Sequence, residues 1–425
     1  MDPEWVLHDG HPFTDALVLS HPEQRDRLRD SCPQAVDSAV LAGDPCFDRI
    51  LGHRDLRVPY RRALGVRTGQ RLVLLNSTWA KGSLAGGPLP SLLPRLTAEL
   101  PADEYRIAAV LHPNIWSAHG PGQIRAWFDR ALNAGVTLVD PLHDWRQALI
   151  AADAVIGDHG SVSFYAAALG TPVLLGAAPL TDIDHRSPSA AFVREAPLLD
   201  MNAPLRPQLD SLTTPPAGPA RFTTSMPGAS AARLRRLFYG LLGLPEPVHT
   251  ATLRRLPLPA HAPAERTAPQ RVLTSVTAPG EVSITRYVDP PFEPEGEGEA
   301  LTVVHERTRE RHALALADVV FHEGPPHDVR LGRPDQWTAE ALARHPHAGL
   351  TLYVDSPDTA TARTRGGLVL RLTAGPQADA DPVAYGCALH AWTASGKSLD
   401  DLVAHGLRVR LGGVSHLVDV ALVMH

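Results

Sequence analysis

Hydrophobic positions between residues 71 and 175 fall into two alternating kinds of run. Short, continuous apolar stretches lie at 71–75, 107–111, 136–139, 154–157 and 172–175. Between them, apolar residues recur at helical spacing. Leu89, Leu92, Leu93, Leu96 and Leu100 form one such face, with Pro88 suited to a first turn; Ile124, Trp127, Phe128, Ala131 and Leu132 form a second that stops at Gly135. Trp145, Ala148, Leu149 and Ala152 predict a short third helix, and 161–169 a fourth that is apolar all round. Strands apolar on both faces, separated by helices, predict a parallel sheet covered on both sides. The expected fold is therefore α/β, a Rossmann-like doubly wound domain.

The flanking patterns are weaker. Residues 16–19, 23–30 and 39–42 read as one βαβ unit ending at Gly43-Asp44-Pro45. A single such unit cannot bury its own sheet and must pack on something else. Residues 196–227 are rich in proline and polar residues and read as an excursion or linker, 231–242 as a helix, and 244–269 as a second proline-rich linker. Beyond them, strand-like runs at 282–287, 301–304, 350–354 and 368–372 and helical runs at 337–343 and 399–404 predict an α+β domain. The expected division is 1–58, 59–243, a linker over 244–270, and 271–425.

Composition narrows the class. The 425 residues suit two or three domains, and 40 basic against 46 acidic residues, net -6, argue against gripping nucleic acid by bulk charge. Lysine occurs only at Lys81 and Lys397, the arginine-heavy usage of a GC-rich, actinobacterial-type coding bias. Three cysteines cannot make a disulfide framework or a four-thiolate zinc site, and the acidic start lacks the pattern of a signal peptide; a cytoplasmic location is expected. The longest uncharged apolar run, 164–180, is broken by Gly170, Pro172 and Gly176 and falls short of the ~20 residues of a spanning helix. No membrane span is expected.

Ligands of doubly wound sheets bind beyond the carboxyl ends of the strands. The loops there are Asn76-Ser77-Thr78-Trp79, His112-Pro113-Asn114, Asp140-Pro141 and Asp158-His159-Gly160-Ser161. In the last, Gly160 and Ser161 open an apolar helix whose free N–H groups favour an anion such as pyrophosphate. The residues alone leave two readings open: an anion site, or a turn at Gly160 with Ser161 as helix cap.

The run 152–162, followed by Leu169-Gly170-Thr171-Pro172-Val173, resembles the donor-nucleotide segment of GT-B-fold transferases. The similarity is greatest to the CDP-glycerol glycerophosphotransferases, and the non-hydrolysing UDP-GlcNAc epimerases are similar in the same place. Ser77-Thr78-Trp79 resembles that family's Pro-Thr-Trp, His112-Pro113 its His-Pro pair, and Gly43-Asp44-Pro45 with Asp48 the run that closes its N-terminal half. The likeness covers about residues 16–243, and most of the family's N-terminal half is absent, so 1–58 reads as its remnant. His159-Gly160 stands where the family has Tyr-Ser.

The resemblance implies roles. His112 would hydrogen-bond or protonate the donor phosphate as the leaving group departs. The N–H groups of Gly160 and Ser161, with the Ser161 hydroxyl, would hold the pyrophosphate. Thr78 would contact a phosphate, Asp158 the ribose or the transferred group, and His159 belongs to the same donor loop. It also implies a nucleotide-diphosphate donor used as substrate, no metal or other cofactor, and transfer of a glycosyl or polyol-phosphate group to an acceptor. A nucleotide-sugar epimerase is the alternative enzyme, and a non-catalytic nucleotide- or partner-binding protein the alternative class. The second is favoured if Met1 is the true start, the first readings if the chain is a fragment.

Other motifs carry less. Ser395-Gly396-Lys397-Ser398 ends like a P-loop but has Ala391 where the first glycine belongs. Asp182-Ile183-Asp184 matches a metal signature of a different architecture, and His322-Glu323 and His345-Pro346-His347 lack further ligands at metal spacing. The arginines at 54, 57, 61, 62 and 67 read as a solvated linker helix, or as an attraction for an anionic partner.

Overall fold

A computed structural model describes residues 3–79, 81–260, 266–291, 294, 296–375, 379 and 381–423. Two-residue strands β1 (Leu7–His8) and β2 (His11–Pro12) pair first; then β3 (Leu17–Leu19), α1 (Pro22–Ser31) and β4 (Ala39–Leu41) form a βαβ unit whose two strands pair in parallel. Helices α2 (Pro45–Leu51) and α3 (Arg57–Ala63) lead from it to the central sheet. Asp44 caps α2 through the N–H groups of Cys46 and Phe47, and buried Asp48 accepts from the N–H groups of Gly228 and Ser230. Asp48 therefore ties the N-terminal segment to the start of a helix almost two hundred residues downstream.

The central sheet is built from β5 (Arg71–Ser77), α4 (Leu89–Glu99), β6 (Tyr105–Leu111), α5 (Pro113–Asn133), β7 (Thr137–Leu138), α6 (Trp145–Ala151), β8 (Ala154–Gly157), α7 (Ser161–Ala168) and β9 (Val173–Leu175). Its five strands are all parallel in the order β7-β6-β5-β8-β9. Alternate residues of one strand serve opposite faces. Leu72, Leu74 and Val155 pack with Tyr60, Leu149 and Ala166 on one side, while Val73, Leu75 and Ile156 pack with Leu92, Ile124 and Phe128 on the other. The sheet is thus doubly wound, as the continuous apolar runs predict. One boundary differs: the second helix starts at Pro113, capped by His112, and bends at Gly120 (φ 76°) before the face read from the sequence begins.

The proline-rich stretch 196–227 is more ordered than its composition suggests. It holds α9 (Leu205–Asp210) and α10 (Ala217–Phe222), after α8 (Pro188–Glu195) and before α11 (Ser230–Leu241). Pro204 and Pro216 sit at the N-cap positions of α9 and α10, where a missing N–H costs little. Leu205 and Leu209 are buried against the sheet layer. The second proline-rich stretch also lies on the molecule: buried Leu256 donates its N–H to His53 Nε2 at 3.1 Å and its carbonyl accepts from Tyr60.

The C-terminal region is α+β in the form of a closed barrel. Its elements are β10 (Gln270–Ala278), β11 (Glu281–Val288), β12 (Glu299–His305), α12 (Arg311–Ala315), β13 (Val319–Glu323), α13 (Pro334–Arg344), β14 (Leu350–Val354), β15 (Thr359–Thr364), β16 (Val369–Ala374), α14 (Pro382–Ala394), α15 (Leu399–His405), β17 (Leu407–Leu411) and β18 (Val414–Leu422). The strands close in the order β10-β11-β17-β18-β16-β15-β14-β13-β12. Helix α14 fills the barrel, its Val383, Tyr385, Cys387, Leu389 and Trp392 packed among inward residues such as Ile284, Leu352 and Val409. A Cβ on Gly386 would come within 2.7 Å of Leu352 Cδ2, so the helix meets β14 at its glycine.

Charge joins the barrel to the sheet. Arg286, on the inward face of β11, forks onto Asp103 in the loop before β6, with Nη2 2.6 Å and Nε 2.9 Å from its oxygens. Its Nη1 reaches Asp381 at 3.1 Å, the residue that caps α14 through the N–H of Val383. Arg266 and Arg67 approach the same carboxylate at 2.8 and 3.4 Å. Although burial opposes ionisation, these arginines hold the Asp381 carboxyl well below the usual range.

Candidate functional site

The strand order sorts the four carboxyl-end loops. The chain winds from β5 outward through β6 to β7, then returns to the other side of β5 for β8 and β9. The switch point lies between β5 and β8, where a crevice opens in this type of sheet. It is flanked by the loop Ser77-Thr78-Trp79 and the loop 158–161, with His112 at the end of the adjoining β6. Asp140 follows the edge strand β7, where its carboxylate receives the N–H groups of Leu142 and His143.

Asp158 organises the two flanking loops. It is fully buried, and its oxygens accept from the N–H groups of Thr78 (2.9 Å), Leu84 (2.9 Å) and Gly160 (3.0 Å) and lie 3.0 Å from the Ser77 hydroxyl. This departs from the expected contact with ribose or the transferred group: with those donors already placed, Asp158 is a positioning residue. Gly160 makes the close approach possible. A Cβ there would lie 3.0 Å from both Asp158 Oδ1 and Thr78 Cβ.

The same bond removes one expected pyrophosphate donor, since the Gly160 N–H points at Asp158. Gly160, and not Ser161, occupies the N-cap position of α7, and it offers no side chain to the helix end. Ser161 is the first helical residue and is exposed. The opening N–H groups of an α-helix lack intrahelical acceptors, so among the described residues this end presents unpartnered donors and an unpartnered hydroxyl at the switch point. Val162 and Ser163 follow Ser161 in that turn, and buried Ser163 lies against Asn76.

His112 caps α5 through its ring. Nδ1 accepts the Asn114 N–H at 3.1 Å, which leaves the ring proton of the neutral imidazole on Nε2. Partial burial pushes its pKa below the ordinary histidine value, against the pull of the Asp158 charge. His112 is therefore a neutral donor at neutral pH. The exposed ring of Trp79 lies 6.4 Å from it, centroid to centroid. Thr78 is half-buried between the loops, and His159 Nδ1 is shut off from solvent with no hydrogen-bond partner among the described residues. The structure thus brings Thr78, His112, His159, Gly160 and Ser161 to one end of the sheet.

Asn76 was not singled out from the sequence. It is buried at the end of β5, its Nδ2 without a partner among the described residues, and a Cβ on Gly157 would come within 2.4 Å of that atom. The only signal was a polar residue closing an otherwise apolar strand.

The discounted motifs have structural explanations. Lys397 sits over the Trp392 ring at 5.0 Å and Ser398 caps α15. Asp184 pairs with Arg27 and Arg186. The arginines before β5 divide: Arg54 and Arg62 are exposed, Arg67 pairs with Asp381, and Arg57 and Arg61 fork onto Asp153 and the carbonyls of residues 150–152, fastening α3 to the sheet. Among the described residues, no helix is long and apolar enough to cross a membrane.

No family model matches the chain, and no curated protein matches it. Among solved structures it is similar to the wall teichoic acid polymerase TagF at 15% identity, covering 53% of this chain and 52% of that one, with a TM-score of 0.34. It is similar to a glycosyltransferase from Rickettsia africae at 13% identity, covering 53% and 58%, TM-score 0.28. A third is WaaG, a glycosyltransferase involved in lipopolysaccharide biosynthesis, at 16% identity, covering 50% and 60%, TM-score 0.29. The chain spans about half the length of the TagF structure.

Proposed function

We propose that residues 59–243 bind a nucleotide-diphosphate-linked donor at the switch point, and that the protein transfers a glycosyl or polyol-phosphate group from it. The observation that carries this reading is the pairing of His112, neutral with its proton on Nε2, with the open amino end of α7. In either transfer, negative charge gathers on phosphate oxygens as the leaving group departs. Hydrogen-bond donors already fixed in place stabilise that charge without reorganising. The Nε2–H of His112 supplies one donor and can pass its proton to the departing oxygen. The N–H groups and hydroxyl at Ser161 supply others, with the helix dipole adding to them. Asp158 holds both loops in register, Thr78 faces a phosphate, and His159 borders the donor. No metal or other cofactor enters the scheme.

Thermal unfolding with CDP, UDP, GDP and their sugar or glycerol conjugates tests it. A nucleotide at 100 times its Kd adds about 2.7 kcal/mol to the unit that binds it, a rise of several degrees in Tm for a domain of this size. The expected result is a rise with one base, abolished in His112→Ala and reduced in Ser161→Ala. No rise with any of these ligands would overturn the reading.

A further inference from the structure

At the opposite, amino end of the sheet, a cavity of about 580 Å³ lies in the seam with the barrel. Leu96, Ile107 and Val136 from the sheet side and Val288 and Val354 from the barrel form its apolar wall. Its polar wall holds Arg67, Arg106, Arg266 and Arg286. Three of these converge on Asp381, and Arg286 also holds Asp103. Arg106 has no carboxylate among the described residues. Its Nη2 donates to Thr137 Oγ1 at 2.8 Å, and its Nε is shut off from solvent without a partner.

Isolated buried cations are costly, and proteins pair them or neutralise them. Burial, then the charges of Arg266 and Arg67, push the Arg106 pKa down to about 10. Of the other acids on this wall, Asp355 is paired with Arg371 and Asp379 accepts the Thr68 N–H, while burial and the charge of Asp381 push the Glu323 carboxyl up, toward its neutral form. Two glycines lie beside the guanidinium. Gly65 and Gly135 have φ of 70° and 98°, and Cβ atoms on them would lie 3.6 and 3.8 Å from its terminal nitrogens.

We propose that this cavity is a binding site for a small organic phosphate, its anionic group taken by Arg106 with Arg67 and Arg266 and its body resting on the apolar wall. The planar fork of an arginine suits a phosphate, and two further guanidiniums stand beside it. The site is separate from the switch point: a seven-residue strand puts the two ends of the sheet roughly 20 Å apart. Because its walls come from both sheet and barrel, a bound anion fastens the two together.

The test is thermal unfolding of the full chain with inorganic phosphate, pyrophosphate or phenyl phosphate against sodium chloride at matched ionic strength. The expected result is a rise in Tm, greatest for phenyl phosphate, retained in His112→Ala and weakened at least tenfold in apparent affinity in Arg106→Met. In chloride alone, Arg106→Met should be as stable as the parent or more so, because an unpaired buried charge has gone. Arg106→Lys, which keeps the charge but loses the fork, should bind more weakly than the parent and decides the matter if Arg106→Met does not fold. The proposal is overturned if none of the three probes raises Tm. It also falls if the affinity is unchanged in the Arg106 variants, or if the rise is lost in His112→Ala, which would put the phosphate at the carboxyl end.

Discussion

The parallel sheet and the barrel bury similar kinds of residue by opposite arrangements. In the sheet, short strands are apolar on both faces, helices cover them, and the polar side chains of interest gather at the carboxyl ends. In the barrel, β17 alternates buried and exposed positions and β11 buried and half-buried ones, and the interior is filled by α14, buried over most of its surface. The barrel's buried charge stands at its mouth, where Arg286 and Asp381 face the sheet. The sheet therefore leaves its polar carboxyl end open, while the barrel closes on itself and turns its buried charges toward the sheet. The two regions should then respond differently to loss of a buried carboxylate.

Asp381→Asn should be the more damaging. Asparagine can still accept the Val383 N–H, but three arginines lose their shared counter-charge, and breaking a buried pair on one side costs about 3–5 kcal/mol. Chemical denaturation of the full chain measures this, and the barrel should loosen from the sheet first. A loss below about 1 kcal/mol would mean that the seam does not depend on this charge. Asp158→Asn should cost less, about 2–3 kcal/mol. Its donors are N–H groups and a hydroxyl, so no cation is stranded, but an amide cannot accept from all of them. The nucleotide-dependent rise in Tm should fall with it, since the loops on both sides of the switch point lose their common anchor.

Much of the sheet was legible because each strand and helix carries its own periodicity over consecutive residues. The loops Ser77-Thr78-Trp79, His112-Pro113 and 158–161 followed from the ends of those runs. The barrel was not legible, because closure depends on pairings such as β10 with β12 and β11 with β17 that no local pattern specifies. Helix α14 had a signal: Pro-Val-Ala-Tyr-Gly-Cys-Ala-Leu is as apolar all round as 161–169, yet the strand-like run at 368–372 before it did not say that a barrel surrounded it. At the site, residue types were visible but bonding was not. Asp158 looked available until its burial was known, and Ser161 looked like a cap until Gly160 took that position. Arg106 was invisible, since its meaning lies in having no carboxylate partner among the described residues.

Histidines separate the two regions by pH. His305 ends β12 almost fully buried, its Nδ1 accepting the Arg307 N–H at 3.0 Å. Burial, then the proximity of His322 and Arg307, push its pKa down to about 3. The folded barrel thus binds fewer protons than the unfolded chain. The stability this contributes is complete above about pH 6.5 and is lost as the pH falls toward 3, a loss of about 2 kcal/mol by pH 5. His305→Gln should flatten that part of the stability profile between pH 6.5 and 5. A variant profile parallel to the parent's would show that this histidine does not titrate in that window.

His112 should give the smallest change in stability and the most informative one. As cap of α5 it contributes about 1 kcal/mol, which His112→Ala should lose. Its pKa is also lowered, so the cap holds above the ordinary histidine range and weakens as the pH falls and a proton on Nδ1 meets the Asn114 N–H. His112→Asp separates the two duties of the ring. An aspartate caps well and favours the helix amino end, so stability should recover and its dependence on mildly acidic pH disappear. The outward N–H is gone, however, and a carboxylate repels phosphate, so the nucleotide-dependent rise in Tm should stay lost. If His112→Asp restores both, His112 serves the fold alone; if it restores only stability, the Nε2 proton is what the sheet end offers its ligand and the barrel does not.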